Sequence, residues 1–191
     1  PGIPLRSPFH ELRTDVVYAE AGGTPLRFDH YRPLGGDGPA PVVVFMHGGG
    51  WMRGDPSQAA GNALHFARRG IATVAISYRL APEHRFPAPL DDVRHGLRWV
   101  RAHASELGVD PDRIALLGLS AGAHLALLAH LAAKDAALAP DLPAELRELS
   151  VAHALRERVV AITTDQTLEE AARTMLDRGV TALAVIDVES R

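Results

Sequence analysis

Ser120 stands in Gly118-Leu119-Ser120-Ala121-Gly122, between the apolar run IALL at 114–117 and an Ala/Leu-rich stretch of helical character. Gly-x-Ser-x-Gly at the junction of a strand and a helix can form a nucleophile elbow, a tight turn that strains the serine backbone and projects its hydroxyl into solvent. The glycines matter by size, because small neighbours let the chain pass close to the turn. Earlier in the chain, His47-Gly48-Gly49-Gly50-Trp51 follows the apolar run PVVVFM. Backbone N–H groups of a glycine loop can approach an acyl oxyanion closely, and one such donor is worth ~2.7–4 kcal/mol of transition-state stabilisation. Each motif follows a buried strand, which places both at the carboxyl edge of one sheet. The chemistry this pairing suits is nucleophilic attack on an acyl group.

The elements that must hold these motifs follow from the apolar pattern. TDVVYAE and PLRFDHYRP flank Gly22-Gly23 and read as two antiparallel strands joined by a turn. PVVVFMH and IATVAISY are continuous, β-branched apolar runs, the pattern of strands covered on both faces. Between them, residues 57–69 read as a helix stopped by Gly70. A Pro-rich loop, RLAPEHRFPAP, leads to a helix over about 90–107, and GVDPDR turns the chain into IALLGLS. AGAHLALLAHLAAK is the helix after the elbow. Alternating strands and helices predict an α/β three-layer sandwich with a mostly parallel sheet.

Beyond this unit the composition changes. Residues 135–157, beginning DAALAPDLPAEL, have the look of a connection, and a final βαβ unit is expected over 158–191. It comprises the strand RVVAITT, the helix TLEEAARTMLDRG and the strand VTALAVID, with a capping box at Thr167 and Glu170 and Gly179 as the residue after the helix. The expected organisation is therefore 1–134, 135–157 and 158–191.

With 191 residues, 47% of them hydrophobic, a sizeable core can form, and a net charge of −3 without basic runs argues against nucleic acid or anionic lipid as partners. The absence of cysteine excludes disulfides, thiolate metal sites and a cysteine nucleophile. No apolar run approaches the ~20 residues needed to span a bilayer, so a cytoplasmic location without a membrane partner is expected. The chain opens on Pro1 instead of Met, which is expected of a processed, trimmed or partial chain. His84 and His124 share no spacing typical of zinc ligands and read as loop and supporting residues. Asp91 and Asp92, adjacent on a helix, point about 100° apart and do not converge for acid/base work. No metal and no cofactor are expected.

YRP, VVVFMHGGGW, ISYRLAPEHRFPAPLDD and GLSAGAHLAL occur in that order over about 15–134. In these segments the chain resembles the hormone-sensitive-lipase-like α/β-hydrolases and the neighbouring acetyl- and feruloyl-esterase-like group. The short lead into HGGGW leaves little room for the helical cap of many lipase-like members, which favours the esterase-like group. The resemblance implies an incomplete α/β-hydrolase fold with Ser120 as nucleophile and the N–H groups of Gly49, Gly50 and Ala121 as oxyanion hole. It also implies that His47 belongs to the loop instead of serving as base, and that residues 78–89 with Asp91-Asp92 brace the loop behind the elbow. The expected activity is hydrolysis of a small carboxylic ester, of short-chain type, through an acyl-serine.

That mechanism needs a base for the serine and an acid for the base, in the order Ser, Asp or Glu, His. After His124 only His130 and His153 remain, one well into the helix after the elbow and one near the connection. Neither has the strand-then-loop context of a triad base, so acid and base stay unassigned and impaired activity is expected. The tail VVAITTDQTLEEAARTMLDRGVTALAVID resembles the opening of a cystathionine-β-synthase-type repeat, which implies a regulatory, adenosyl-nucleotide-binding module as the alternative. A second possibility is that VVAIT and ALAVID replace missing hydrolase strands, with Asp187 mimicking the triad acid. A third is a truncated or fusion product, for which exposed edge strands would favour association, a homodimer included.

Overall fold

The computed structural model describes residues 5–134 together with the strand segments 160–163 and 182–186. The N-terminal strands are β1 (Leu5–Arg6), β2 (His10–Ala21) and β3 (Thr24–Pro33), paired antiparallel in sequence. Gly22 and Gly23 turn the β2–β3 hairpin with φ of 56° and 77°, and two successive positive φ values are what a two-residue loop with the right twist demands. The strand β2 begins earlier than the apolar pattern indicates, because its first residues, HELR, are polar except for Leu12 yet pair with β3 as far as Pro33.

The centre of the sheet is built from β4 (Ala40–Met46), β5 (Ala72–Ile76) and β6 (Val109–Gly118). Alternate residues of β4 serve opposite faces. Val42, Val44 and Met46 pack with Leu90, Val93, Val100 and Leu125 on one face, while Val43 and Phe45 pack with Ala59, Ala63 and Phe66 on the other. Both faces are therefore dry, and this is why the strand sequence is continuously apolar. The helix α1 (Ala60–Ala67), entered through a 3-10 turn at Pro56–Ala59, covers one face. The helices α2 (Ala88–Ala102) and α4 (Ala121–Lys134) cover the other.

The sheet order is β1-β2-β3-β5-β4-β6-β8-β7, with β7 (Val160–Thr163) and β8 (Ala182–Ile186) at one end. Pairing is antiparallel up to β3–β5 and parallel from β5 onward, as the alternation of strands and helices predicts. The parallel registers align Met46 with both Ile76 and Gly118, so the chain leaves β4, β5 and β6 at one level of the carboxyl edge.

Two expectations need correction. The single helix over 90–107 is broken at His103, which has φ −106° and ψ 18° and separates α2 from α3 (Ala104–Leu107). The His103 ring stacks on Trp99 at 4.1 Å and its Nδ1 bonds Trp99 O at 2.9 Å, interactions that apolar periodicity does not reveal. The turn GVDPDR is instead the start of β6: Val109 pairs with Ala40, the register shifts, and pairing resumes at Ile114 opposite Val42. Strands occur within both RVVAITT and VTALAVID. The connection 135–157 with His153, the capping box of Thr167 and Glu170, Gly179 and Asp187 lie outside the described residues.

Candidate active site

At the end of β6 the chain reverses into α4 with Ser120 at φ 47°, a left-handed conformation rare for a residue with a side chain. What forces it is close packing. A Cβ on Gly118 would collide with the backbone of Gly122 and Ala123, and one on Gly122 would collide with the carbonyl oxygens of Met46 and His47. Leu119 N donates to Met46 O at 3.1 Å, fixing the elbow to the end of β4, and His124 N donates to Ser120 O at 3.1 Å as the first helical bond. Ser120 itself is exposed. Its hydroxyl, without a partner among the described residues, stands at a helix N-terminus, where the backbone dipole favours developing negative charge.

The loop after β4 is shaped to lie beside it. Gly49, at φ 124°, occupies a conformation open only to glycine, and a Cβ there would strike Arg53 O. Its carbonyl accepts from Met52 N and Arg53 N, both at 3.2 Å, which curls the loop back on itself. Gly48 N donates to Gln58 Oε1 at 3.0 Å. Among the described residues the N–H groups of Gly49, Gly50 and Ala121 take no acceptor. Three unpaired donors therefore sit on the two segments that meet at Ser120. Gln58, which anchors the loop from α1's approach, has no signal in the sequence because its role depends on one amide oxygen across a turn.

His47 is 1% exposed, and burial holds its pKa below the usual imidazole value. Its Nδ1 donates to Gly48 O at 2.9 Å and its ring stacks on Tyr78 at 4.1 Å, while Tyr78 OH donates to His47 O at 2.7 Å. That imidazole is a buried strut of the loop, and it makes no hydrogen bond to Ser120. The segment after β5 is fixed in turn by Arg79, whose Nε, Nη2 and backbone N all bond the buried Asp92 carboxylate at 2.8–2.9 Å. Asp91 faces solvent. The adjacent pair accordingly does not converge, and Asp92 is a structural brace. His84 lies near Thr24, with Nε2 at 3.3 Å from the hydroxyl.

His124, one turn after Ser120, is half-buried with its pKa lowered by burial, and its Nδ1 has no partner among the described residues. It meets the Trp51 indole at 5.3 Å and 86°. Among the described residues no imidazole or carboxylate bonds Ser120 Oγ, and no group of three His, Asp or Glu side chains is arranged to hold a metal ion. A cavity of about 670 Å³ opens on the far side of the glycine loop, lined by Asp29, His47, Asp55, Tyr78, Arg79 and His84 among others, but Ser120 does not border it. The reactive geometry belongs to the open edge at Ser120. No helix among the described residues is long and apolar enough to cross a membrane.

Residues 28–177 match the BD-FAE family, a span that crosses the boundary expected at 134 and enters the stretch resembling a cystathionine-β-synthase-type repeat. The chain is 48% identical over 98 residues to the carboxylesterase NlhH of Mycobacterium tuberculosis, covering 48% of this chain and 30% of that protein. It is 44% identical over 136 residues to the carboxylic ester hydrolase LipN of the same organism, covering 68% of this chain and 35% of LipN. Among solved structures, the hyperthermophilic esterase from the archaeon Pyrobaculum calidifontis superposes with a TM-score of 0.60 at 37% identity, over 68% of this chain and 42% of the esterase. The chain spans only 26–42% of the length of such curated relatives.

Proposed function

The chain belongs to the BD-FAE family, and from that membership together with the geometry at Ser120 we propose that it is a serine-type carboxylic ester hydrolase acting on small, short-chain esters. Ser120 Oγ adds to the ester carbonyl, and the resulting oxyanion is received by the N–H groups of Gly49, Gly50 and Ala121. The tetrahedral adduct collapses by breaking the bond to the alkoxide, which leaves as the alcohol with the proton that Ser120 gave up. Water then cleaves the acyl-serine, releasing the carboxylic acid and restoring the hydroxyl. The observation that carries this reading is Ser120 at φ 47°, clamped between glycines that admit no Cβ, beside three unpaired backbone donors.

The weak point of the machinery is the proton. With no imidazole bonded to Ser120 among the described residues, water must accept it, and the 191-residue chain should turn over at least ~10³-fold more slowly than an enzyme with a complete triad. The parallel pairing of β8 with β6 supports reading the C-terminal strands as an extension of the hydrolase sheet. A fluorophosphonate probe followed by intact-mass and peptide analysis tests the assignment. A single adduct on Ser120, formed slowly and absent from Ser120→Ala, is the expected result. Modification of another residue, or an adduct retained in Ser120→Ala, would overturn it.

A further inference from the structure

Two residues at the site are held at positive φ without being glycine: Ser120 at 47° and Trp51 at 60°. For Ser120 the strain places a hydroxyl. For Trp51 it must serve something else, because a bulky aromatic residue adopts this conformation only where its surroundings impose it. They do so through the backbone: Ala81 N donates to Trp51 O at 2.8 Å, and the next two N–H groups fold back onto Gly49 O. The result is an indole left 40% exposed instead of buried, with Met52 beside it 65% exposed.

The indole is nevertheless not loose. His124 lies against it at 5.3 Å and 86°, and His124 begins the helical bonding from Ser120 O. His124 Nδ1 has no polar partner among the described residues, so ring packing, that on Trp51 included, positions that imidazole. One flank of Trp51 is thus propped against the first turn of α4, and 40% of the residue is open to solvent, in the same loop as Gly49 and Gly50.

We propose that the open face of Trp51 is a stacking platform for an aryl group carried by the ester, so that the site selects aryl esters over saturated esters of equal size. The proposal rests on Ser120 being the reacting group, since that is what brings an ester to this edge. A flat ring on a fixed indole gains the offset or edge-to-face geometry that a puckered ring of the same size lacks, a difference of about 2- to 10-fold in affinity.

The test uses the Ser120→Ala chain, which can bind an ester without reacting, so its outcome does not depend on whether Ser120 works as a nucleophile. Phenyl acetate and cyclohexyl acetate are titrated while the heat of binding is read by calorimetry, a signal that does not depend on Trp51. Phenyl acetate is expected to give a saturable change with a Kd about 2- to 10-fold below that of cyclohexyl acetate. Adding Trp51→Leu should abolish the preference, and Trp51→Phe, which keeps a ring on the same backbone, should retain most of it. Equal affinities, no saturable binding of phenyl acetate, or a preference that survives Trp51→Leu would overturn the proposal. Failure of Ser120 to label with the fluorophosphonate probe would instead count against the esterase reading.

Discussion

Where β4 and β6 end, the chain folds so tightly that Gly118, Gly122 and Gly49 leave no space for a Cβ: Gly49 within its own loop, Gly118 within the elbow, and Gly122 against the end of β4. Beyond β6 the sheet continues through β8 and β7 by ordinary parallel ladder pairing. The first region must satisfy atomic contacts between residues a few positions apart, and those contacts dictate residue type. The second needs only strands of the right period, which many sequences supply. Ser120 and the backbone donors proposed to receive the oxyanion belong to the first kind of region. A triad's acid and base come from loops after later strands, where position is set by the fold and not by local sequence.

If the first region is as tightly determined as its geometry indicates, substitutions behind the site should cost much more than surface changes usually do. The largest effect is expected at Asp92. Asp92→Ala leaves the Arg79 guanidinium without its buried partner and should lower unfolding free energy by about 3–5 kcal/mol in urea melts. A loss under about 1 kcal/mol would mean that the brace behind the elbow is not structural.

Gly122→Ala places a methyl group against the carbonyls of Met46 and His47. The expected cost is about 3 kcal/mol, with probe labelling of Ser120 lost at the same time because the elbow has to shift. Labelling at the wild-type rate would break the contrast between the two regions.

His30 sharpens the contrast from the hairpin side. It is 2% exposed with Nε2 unpartnered among the described residues, and burial, aided by Arg13 and Arg32, lowers its pKa to about 4 from an ordinary 6.5. Between those values the unfolded chain binds a proton that the folded chain refuses, so stability falls as pH drops from about 6.5 to about 4 and this group adds nothing further below that. The loss should reach about 3 kcal/mol, and His30→Leu should flatten that part of the pH profile. An unchanged profile in His30→Leu would place the acid sensitivity elsewhere.

The smallest effect is expected at Tyr78→Phe, which removes the hydrogen bond to His47 O but keeps the ring stacked on the imidazole. A loss of about 1 kcal/mol should appear in the same melts. A much larger loss would show that the hydroxyl, and not the stacking, holds His47.

Several of these features could be read from the sequence. Continuous apolar runs marked β4 and β5 because both their faces are covered, and Gly-x-Ser-x-Gly marked the elbow because its glycines answer to specific carbonyls. The bracing role of Asp92 was implied by the family resemblance, while the divergence of adjacent helical side chains argued only against acid/base work by the pair. Other features left no trace. The break at His103 depends on a ring stacked on Trp99 and a bond to its carbonyl, and the early start of β6 depends on a single pairing of Val109 with Ala40. Gln58 clamping Gly48 and Trp51 lying on His124 are contacts across the fold, made by residue types that any loop can carry.

With Ser120 proposed as the nucleophile and no proton acceptor bonded to it among the described residues, p-nitrophenyl acetate turnover by the 191-residue chain is the decisive measurement. The predicted result is release of p-nitrophenol at least ~10³-fold more slowly than by a complete serine esterase, falling to the uncatalysed background in Ser120→Ala. Turnover at ordinary esterase rates, or residual activity unchanged by Ser120→Ala, would contradict it.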